Sequence, residues 1–274
     1  MNSEIPISQD VVSVKWLYNN INTKNLVILD GTINKVFGTS ITQIPGSRFF
    51  DIKKKFSDLS NPFPNAFPTP KHFQNEARNL GINANSAIVV YDDKGIYSSA
   101  RVWWLFKAFG HSNVAVLDGG FPAWLKAECP IESFINDANK AGDFVAKLQP
   151  EFMQFFDDVA KASKQGSHKI IDARSADRFN CLVDEPRAGL RSGTIPNSKN
   201  IPFKKLLNDE HLLKPKEELD DIFSEVIDKN DDVIFSCGSG ITACVLALGA
   251  KISGYQNISV YDGSWTEWGS LVDK

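Results

Sequence analysis

The stretch DVIFSCGSGITACVLALG, Asp232–Gly249, carries three local instructions in succession. Val233–Phe235 is a β-branched and aromatic run that suits a strand, Gly238 and Gly240 mark a tight turn, and the apolar residues from Ala243 suit a helix laid on a sheet. The stretch has a counterpart. AIVVYDDKGI, beginning at Ala87, aligns with DVIFSCGSGI, beginning at Asp232, and puts Asp92 where Cys237 stands.

The likeness extends outward from that pair. LVILDG at Leu26 matches KIIDAR at Lys169, ITQIPGSRFFDIKK at Ile41 matches RSGTIPNSKNIPFKK at Arg191, and VAVLDGGFPAW ending at Trp124 matches ISVYDGSWTEW ending at Trp268. The landmarks recur in one order, so the chain is read as an internal repeat. In each half strands alternate with helices, among them the amphipathic KHFQNEARNLG and EELDDIFSEVI and the apolar SARVWWLFKAFG. That alternation predicts an α/β fold of two tandem domains, each a parallel sheet flanked by helices on both faces. The polar INDANKAGDFVAKLQP, 135–150, reads as a linker and sets the domains at 1–134 and 151–274.

Composition narrows the function classes. The chain has 274 residues, a formal net charge of −3 and no basic block, which argues against nucleic acid or an anionic membrane surface as partner. No apolar run has the length of a membrane span. The opening MNSEIPISQDVVSVKWL carries acids early and lacks a basic region followed by an apolar one, so it reads as mature, cytoplasmic protein. Four cysteines (Cys129, Cys181, Cys237, Cys244) form neither a disulfide framework nor a zinc-spaced pair, so no metal or cofactor is expected.

In a parallel α/β unit, reactive groups collect at the carboxyl ends of strands, where Cys237 falls. Gly238 and Gly240 let successive N–H groups turn inward, and the following helix adds unpaired amides and its positive dipole end. Such a nest favours the thiolate, the nucleophilic form. The bland alternative is a small buried hydrophobe in a tight turn. Asp92 at the equivalent turn suggests that the first half is chemically silent. The second half carries an insertion, RFNCLVDEPRAGLRSG, with Arg178, Arg187 and Arg191. Arginine forks grip carboxylates, so this insertion points to a small anionic substrate, against the alternative of a solvated charged loop.

The sequence resembles the two-domain rhodanese family over essentially its full length. CGSGITAC, the RF…EPRAG…SGTIPNS segment and YDGSWTEWG carry the resemblance, with IPGSRFFDI and YSSARVWWLFKAFGH in the first half, and they look most like its 3-mercaptopyruvate sulfurtransferase branch. The resemblance implies an inactive first domain and a catalytic second one. It implies that Cys237 attacks the donor sulfur, forms a persulfide and releases pyruvate, with Ser239 as a second catalytic residue. Gly238, Gly240, Ile241 and Thr242 are expected to bind the transferred group, and Arg178 and Arg187 the carboxylate. Thioredoxin, a small thiol or cyanide is the acceptor the family uses. Thiosulfate-using members have basic residues where this chain has Gly238 and Ser239.

The resemblance also exposes a departure. A histidine and an aspartate that the family is proposed to couple to the serine are replaced by Asn65 and Lys53, so Cys237 is expected to ionise without a histidine base. Three other readings stand beside this one. A phosphatase loop would need arginine where Ala243 stands. A non-catalytic binding module fits the first half better than the second, and a thiosulfate sulfurtransferase or persulfide carrier shares the same loop. Cys244 is expected in the core and Cys181 as an incidental loop thiol. Trp103, Trp104, Trp124, Trp265 and Trp268 are expected in the core, and Asp30 and Asp172 fix loops at strand ends.

Overall fold

Runs of Val, Ile and Leu that do not alternate with polar residues belong to strands covered on both faces. The strands lie at those runs in the computed structural model, which describes residues 4–36, 41–134 and 140–273. The chain forms two units. The first comprises Met1–Asp58, Phe67–Gln149 and Asp209–Leu212, and the second Leu59–Ala66, Pro150–Asn208 and Leu213–Lys274. Each half of the sequence therefore lends a short segment to the unit built mainly from the other.

Unit 1 contains β1 (Val11–Val12), α1 (Val14–Asn20), β2 (Leu26–Asp30), β3 (Thr42–Gln43), β4 (Arg48–Phe49), α2 (Pro70–Asn79), β5 (Ala87–Tyr91), α3 (Ser99–Ala108), β6 (Val114–Leu117), α4 (Gly120–Lys126) and β7 (Glu132–Ser133). Its main sheet runs β1-β6-β5-β2-β4, every pairing parallel, while β3 and β7 form a small antiparallel pair. Thr69 caps α2 by accepting from the His72 N–H, and Pro70 fills the first helical position, where no N–H is needed. Ile28, Val89, Ala115 and Leu117 meet Leu17 of α1 and Trp124 of α4 on one face. The opposite face takes α3, whose residues are buried except Lys107.

Unit 2 contains β8 (Met153–Gln154), α5 (Phe156–Gln165), β9 (Lys169–Asp172), α6 (Ala176–Phe179), β10 (Ser198–Asn200), α7 (Lys216–Ser224), β11 (Val233–Ser236), α8 (Ala243–Ile252), β12 (Ile258–Tyr261) and α9 (Ser264–Leu271). Its all-parallel sheet runs β10-β9-β11-β12-β8, the order of unit 1 read from the other edge. α5 and α9 cover one face through Val159, Ala162, Trp265 and Trp268, and Phe223 of α7 packs on Phe235 of the other. α8 is buried from Ala243 through Ala250, as its unbroken apolar sequence requires. Trp103, Trp104, Trp124, Trp265 and Trp268 are all core residues.

Of the segment read as a linker, 135–139 lies outside the described residues, and 140–149 packs into unit 1. Phe144 is buried there against Phe73, Phe106 and His111, and the Lys147 and Gln149 N–H groups donate to the Phe109 and Ala108 carbonyls. One aromatic among polar residues gives no period, which is why the sequence pattern reads as linker. Among the described residues no helix is long and apolar enough to cross a membrane.

Candidate active site

Cys237 follows the last residue of β11, and its side chain is buried. The start of α9 grips the turn that leads from it into α8. The Trp265 N–H donates to the Cys237 carbonyl at 3.0 Å, and the Thr266 N–H and Oγ1 donate to the Gly238 carbonyl at 2.9 and 2.6 Å. Ser264 Oγ accepts from the N–H groups of Cys237 and Gly240, each at 3.1 Å. The N–H groups of Gly238, Ser239, Ile241 and Thr242 meet no acceptor among the described residues. Open amides in a turn that leads into a helix N-terminus make an anion cradle. Gly240 is not one of these donors, because with φ at +74° its N–H turns to Ser264.

Unit 1 shows what such a turn can hold. There the Asp92 carboxylate accepts from the N–H of Lys94 through Oδ1 and from those of Tyr97 and Ser99 through Oδ2, all at 2.8 Å. In the repeat these donors correspond to Ser239, Thr242 and Cys244. Burial pushes the Asp92 carboxyl above the usual carboxylate range, with the three amides pulling the other way. A carboxyl group is thus built into the first turn as the acceptor of its amides, whereas the second presents a thiol.

The insertion delivers an arginine to the turn. Arg178, in α6, donates to Glu185 at 2.5 Å, and a Cβ on Gly238 would stand only 3.0 Å from its Nη2. Glu185 is buried, its charge met also by Arg174 at 2.6 Å. Arg174, wholly buried, donates further to Asp172 and to the Gly193 carbonyl and lies over the Trp265 ring. Burial opposes the Arg174 charge, but Asp172 and Glu185 outweigh it and hold its pKa above the ordinary value. Arg187, by contrast, is exposed on the insertion. Arg191 donates to the Val272 carbonyl and is an anchor of α9.

Ser239 meets the departure noted in the sequence. Asn65, in the segment 59–66 that belongs to unit 2, donates through Nδ2 to the Ser239 carbonyl and to Ser239 Oγ, each at 3.1 Å. Lys53 is exposed in unit 1 and donates to Asn34. His72 is exposed at the start of α2, with its ring on the Lys55 carbonyl. Cys244 is buried in α8, its thiol on the Gly240 carbonyl, and Cys181 is exposed. Asp30 and Asp172 each accept from the N–H two residues on, the loop-fixing role expected of them.

Arg174, Glu185 and Ser264 were not singled out from the sequence. Signals for them existed: Glu185 lies between two candidate arginines, Arg174 follows a strand-ending aspartate, and Ser264 replaces the glycine of the first repeat (DGS against DGG).

The rhodanese-like domain family matches residues 13–127 and again 156–271. The 3-mercaptopyruvate sulfurtransferase of Rattus norvegicus is 42% identical over 228 residues, covering 82% of this chain and 76% of the relative. Thiosulfate/3-mercaptopyruvate sulfurtransferase 1, mitochondrial, of Arabidopsis thaliana is 38% identical over 299 residues, covering 99% of this chain and 79% of the relative. Among solved structures, SseA of Escherichia coli, presented with the rhodanese fold and mechanism of 3-mercaptopyruvate sulfotransferases, aligns with a TM-score of 0.82 at 33% identity, covering 94% of this chain and 99% of that one.

Proposed function

The chain belongs to the rhodanese family, and on that premise we propose that unit 2 moves sulfur from 3-mercaptopyruvate, through a persulfide on Cys237, to a thiol acceptor. One observation carries the reading: Cys237 begins a turn whose free amides can hold an anion, with the Arg178 fork against Gly238. The Cys237 thiolate attacks the donor sulfur. An S–S bond forms, the donor C–S bond breaks, and the electron pair leaves on carbon as the enolate of pyruvate, which then takes a proton. Ser239, its Oγ already accepting from Asn65, has its proton free for the donor or the departing enolate. Arg178, with Arg187, binds the carboxylate. A thiolate acceptor, such as thioredoxin or a small thiol, then attacks the outer sulfur and releases Cys237; cyanide serves the same role. Unit 1, with Asp92 in its turn, is silent in this chemistry.

A second donor, thiosulfate, shares the same cradle and appears with mercaptopyruvate in the name of the Arabidopsis relative. Gly238 and Ser239 leave the loop without the charges that suit a compact dianion, so mercaptopyruvate is the preferred donor. All four cysteines are free thiols, which fits a reducing compartment, and the cytoplasm is proposed. A donor panel tests the reading by following pyruvate and sulfite separately, with intact-mass analysis. One added sulfur on Cys237 and a higher kcat/KM for mercaptopyruvate are expected. An adduct that persists in Cys237→Ser, or a preference for thiosulfate, would sink it.

A further inference from the structure

The two repeats differ at one backbone position beside the turn. It is Gly120 in unit 1, at φ +53°, and Ser264 in unit 2, at φ +51°. A Cβ at Gly120 would stand 2.4 Å from the Gly95 carbonyl oxygen and 2.5 Å from that of Asp92, so the first turn leaves no room for a side chain. In unit 2 the side chain is present and fully buried, and the turn meets it with donors. Gly240, the counterpart of Gly95, offers its N–H to Ser264 Oγ where Gly95 offers a carbonyl. A serine in the left-handed region carries a backbone cost that glycine avoids. Its hydroxyl does what glycine cannot. Accepting from Cys237 and Gly240 engages the oxygen's lone pairs, and its proton is left for the Tyr261 carbonyl at 2.9 Å or for Cys237 Sγ at 3.9 Å.

We propose that Ser264 is a positioning residue for the reacting thiol, setting the cysteine turn through its two acceptor bonds and turning its proton to the Cys237 sulfur when that sulfur is anionic. The proposal rests on the reading of Cys237 as the nucleophile. It accounts for the pairing seen in the repeats: serine where the turn carries a thiol, glycine where it carries Asp92.

Ser264→Gly and Ser264→Ala both remove the hydroxyl, but only glycine is at ease at this φ, so the glycine protein should have the higher thermal midpoint. Two rates are then read in each. One is alkylation of Cys237 by iodoacetamide across the thiol titration range, located by peptide mass. The other is single-turnover persulfide formation with 3-mercaptopyruvate. The alkylation profile should move to higher pH equally in both variants, and persulfide formation at neutral pH should fall about tenfold or more in both, whatever their midpoints. Rates that follow the midpoints, or an alkylation profile that does not move, overturn the proposal. Should the alanine protein not fold, the alkylation profile of the glycine protein decides alone. Alkylation needs no donor, so unsubstituted protein that alkylates at Cys237 yet takes no sulfur counts against the sulfur-transfer reading and leaves the Ser264 result to stand or fall separately.

Discussion

Gly238→Ala is the smallest change that separates the turn from its arginine. The Gly238 φ lies outside the left-handed region, so alanine can take the backbone unchanged, and the new Cβ would stand 3.0 Å from Arg178 Nη2 and 3.8 Å from Nη1. Arg178 must yield by a few tenths of an ångström, yet Glu185 holds it at 2.5 Å and is itself held by Arg174 at 2.6 Å. Retreat therefore loosens a hydrogen bond between charged groups, worth about 1.5 to 3 kcal/mol. If that is the carboxylate-binding geometry, kcat/KM for 3-mercaptopyruvate should fall by about ten- to 150-fold. Thiosulfate, which has no carboxylate, should lose far less. Steady-state kinetics with both donors decides the matter, with circular dichroism melting to confirm the fold. An unchanged kcat/KM for mercaptopyruvate, or an equal fall for both donors, would refute the reasoning.

Arg187→Ala should raise KM for mercaptopyruvate, the loss being at most the same about 1.5 to 3 kcal/mol, and unchanged constants would leave Arg178 as the sole carboxylate fork. Persulfide formation should follow a single ionisation, and His72→Ala should leave its rate near that of the parent, since the His72 ring sits on the Lys55 carbonyl. A histidine-like limb in the pH profile that vanishes in the variant would contradict this. Asp92→Ala strips the acceptor from three N–H groups around a buried carboxylate, at about 1 to 3 kcal/mol each, so urea unfolding should show a loss of roughly 3 kcal/mol or more. A loss below about 1 kcal/mol would mean that water or a relaxed turn replaces the carboxylate.

What the sequence disclosed follows from what leaves a periodic trace. β5 and β11 are buried on both faces and so appear as unbroken apolar runs, and their repetition with the Ile-Pro and Asp-Gly landmarks anticipates the matched sheets. Cys237, Gly238 and Ser239 were readable because two glycines after a strand leave few alternatives to a turn. Glu185 and Arg174 left no such trace, since a buried ion cluster has the composition of a solvated loop until tertiary contacts are known. The Asn65 contact with Ser239 joins residues 174 positions apart, and no local pattern encodes it. Phe144 was concealed in the same way, one apolar residue whose partners lie far upstream.

A duplicated chain in which each copy lends a short segment of itself to the unit built mainly from the other can no longer be halved. A fragment beginning at 151 would lack 59–66, and with it the donor that holds Ser239; a fragment ending at 134 would lack His211 and Leu212, which crowd Gly95 and Gly119 in unit 1. Loss of the first copy would therefore also remove part of unit 2, including the side chain that donates to Ser239. The two copies are bound to a common inheritance. A tract of the first half is tied through Asn65 to the turn that carries Cys237 in the second, so a change in one copy reaches the other.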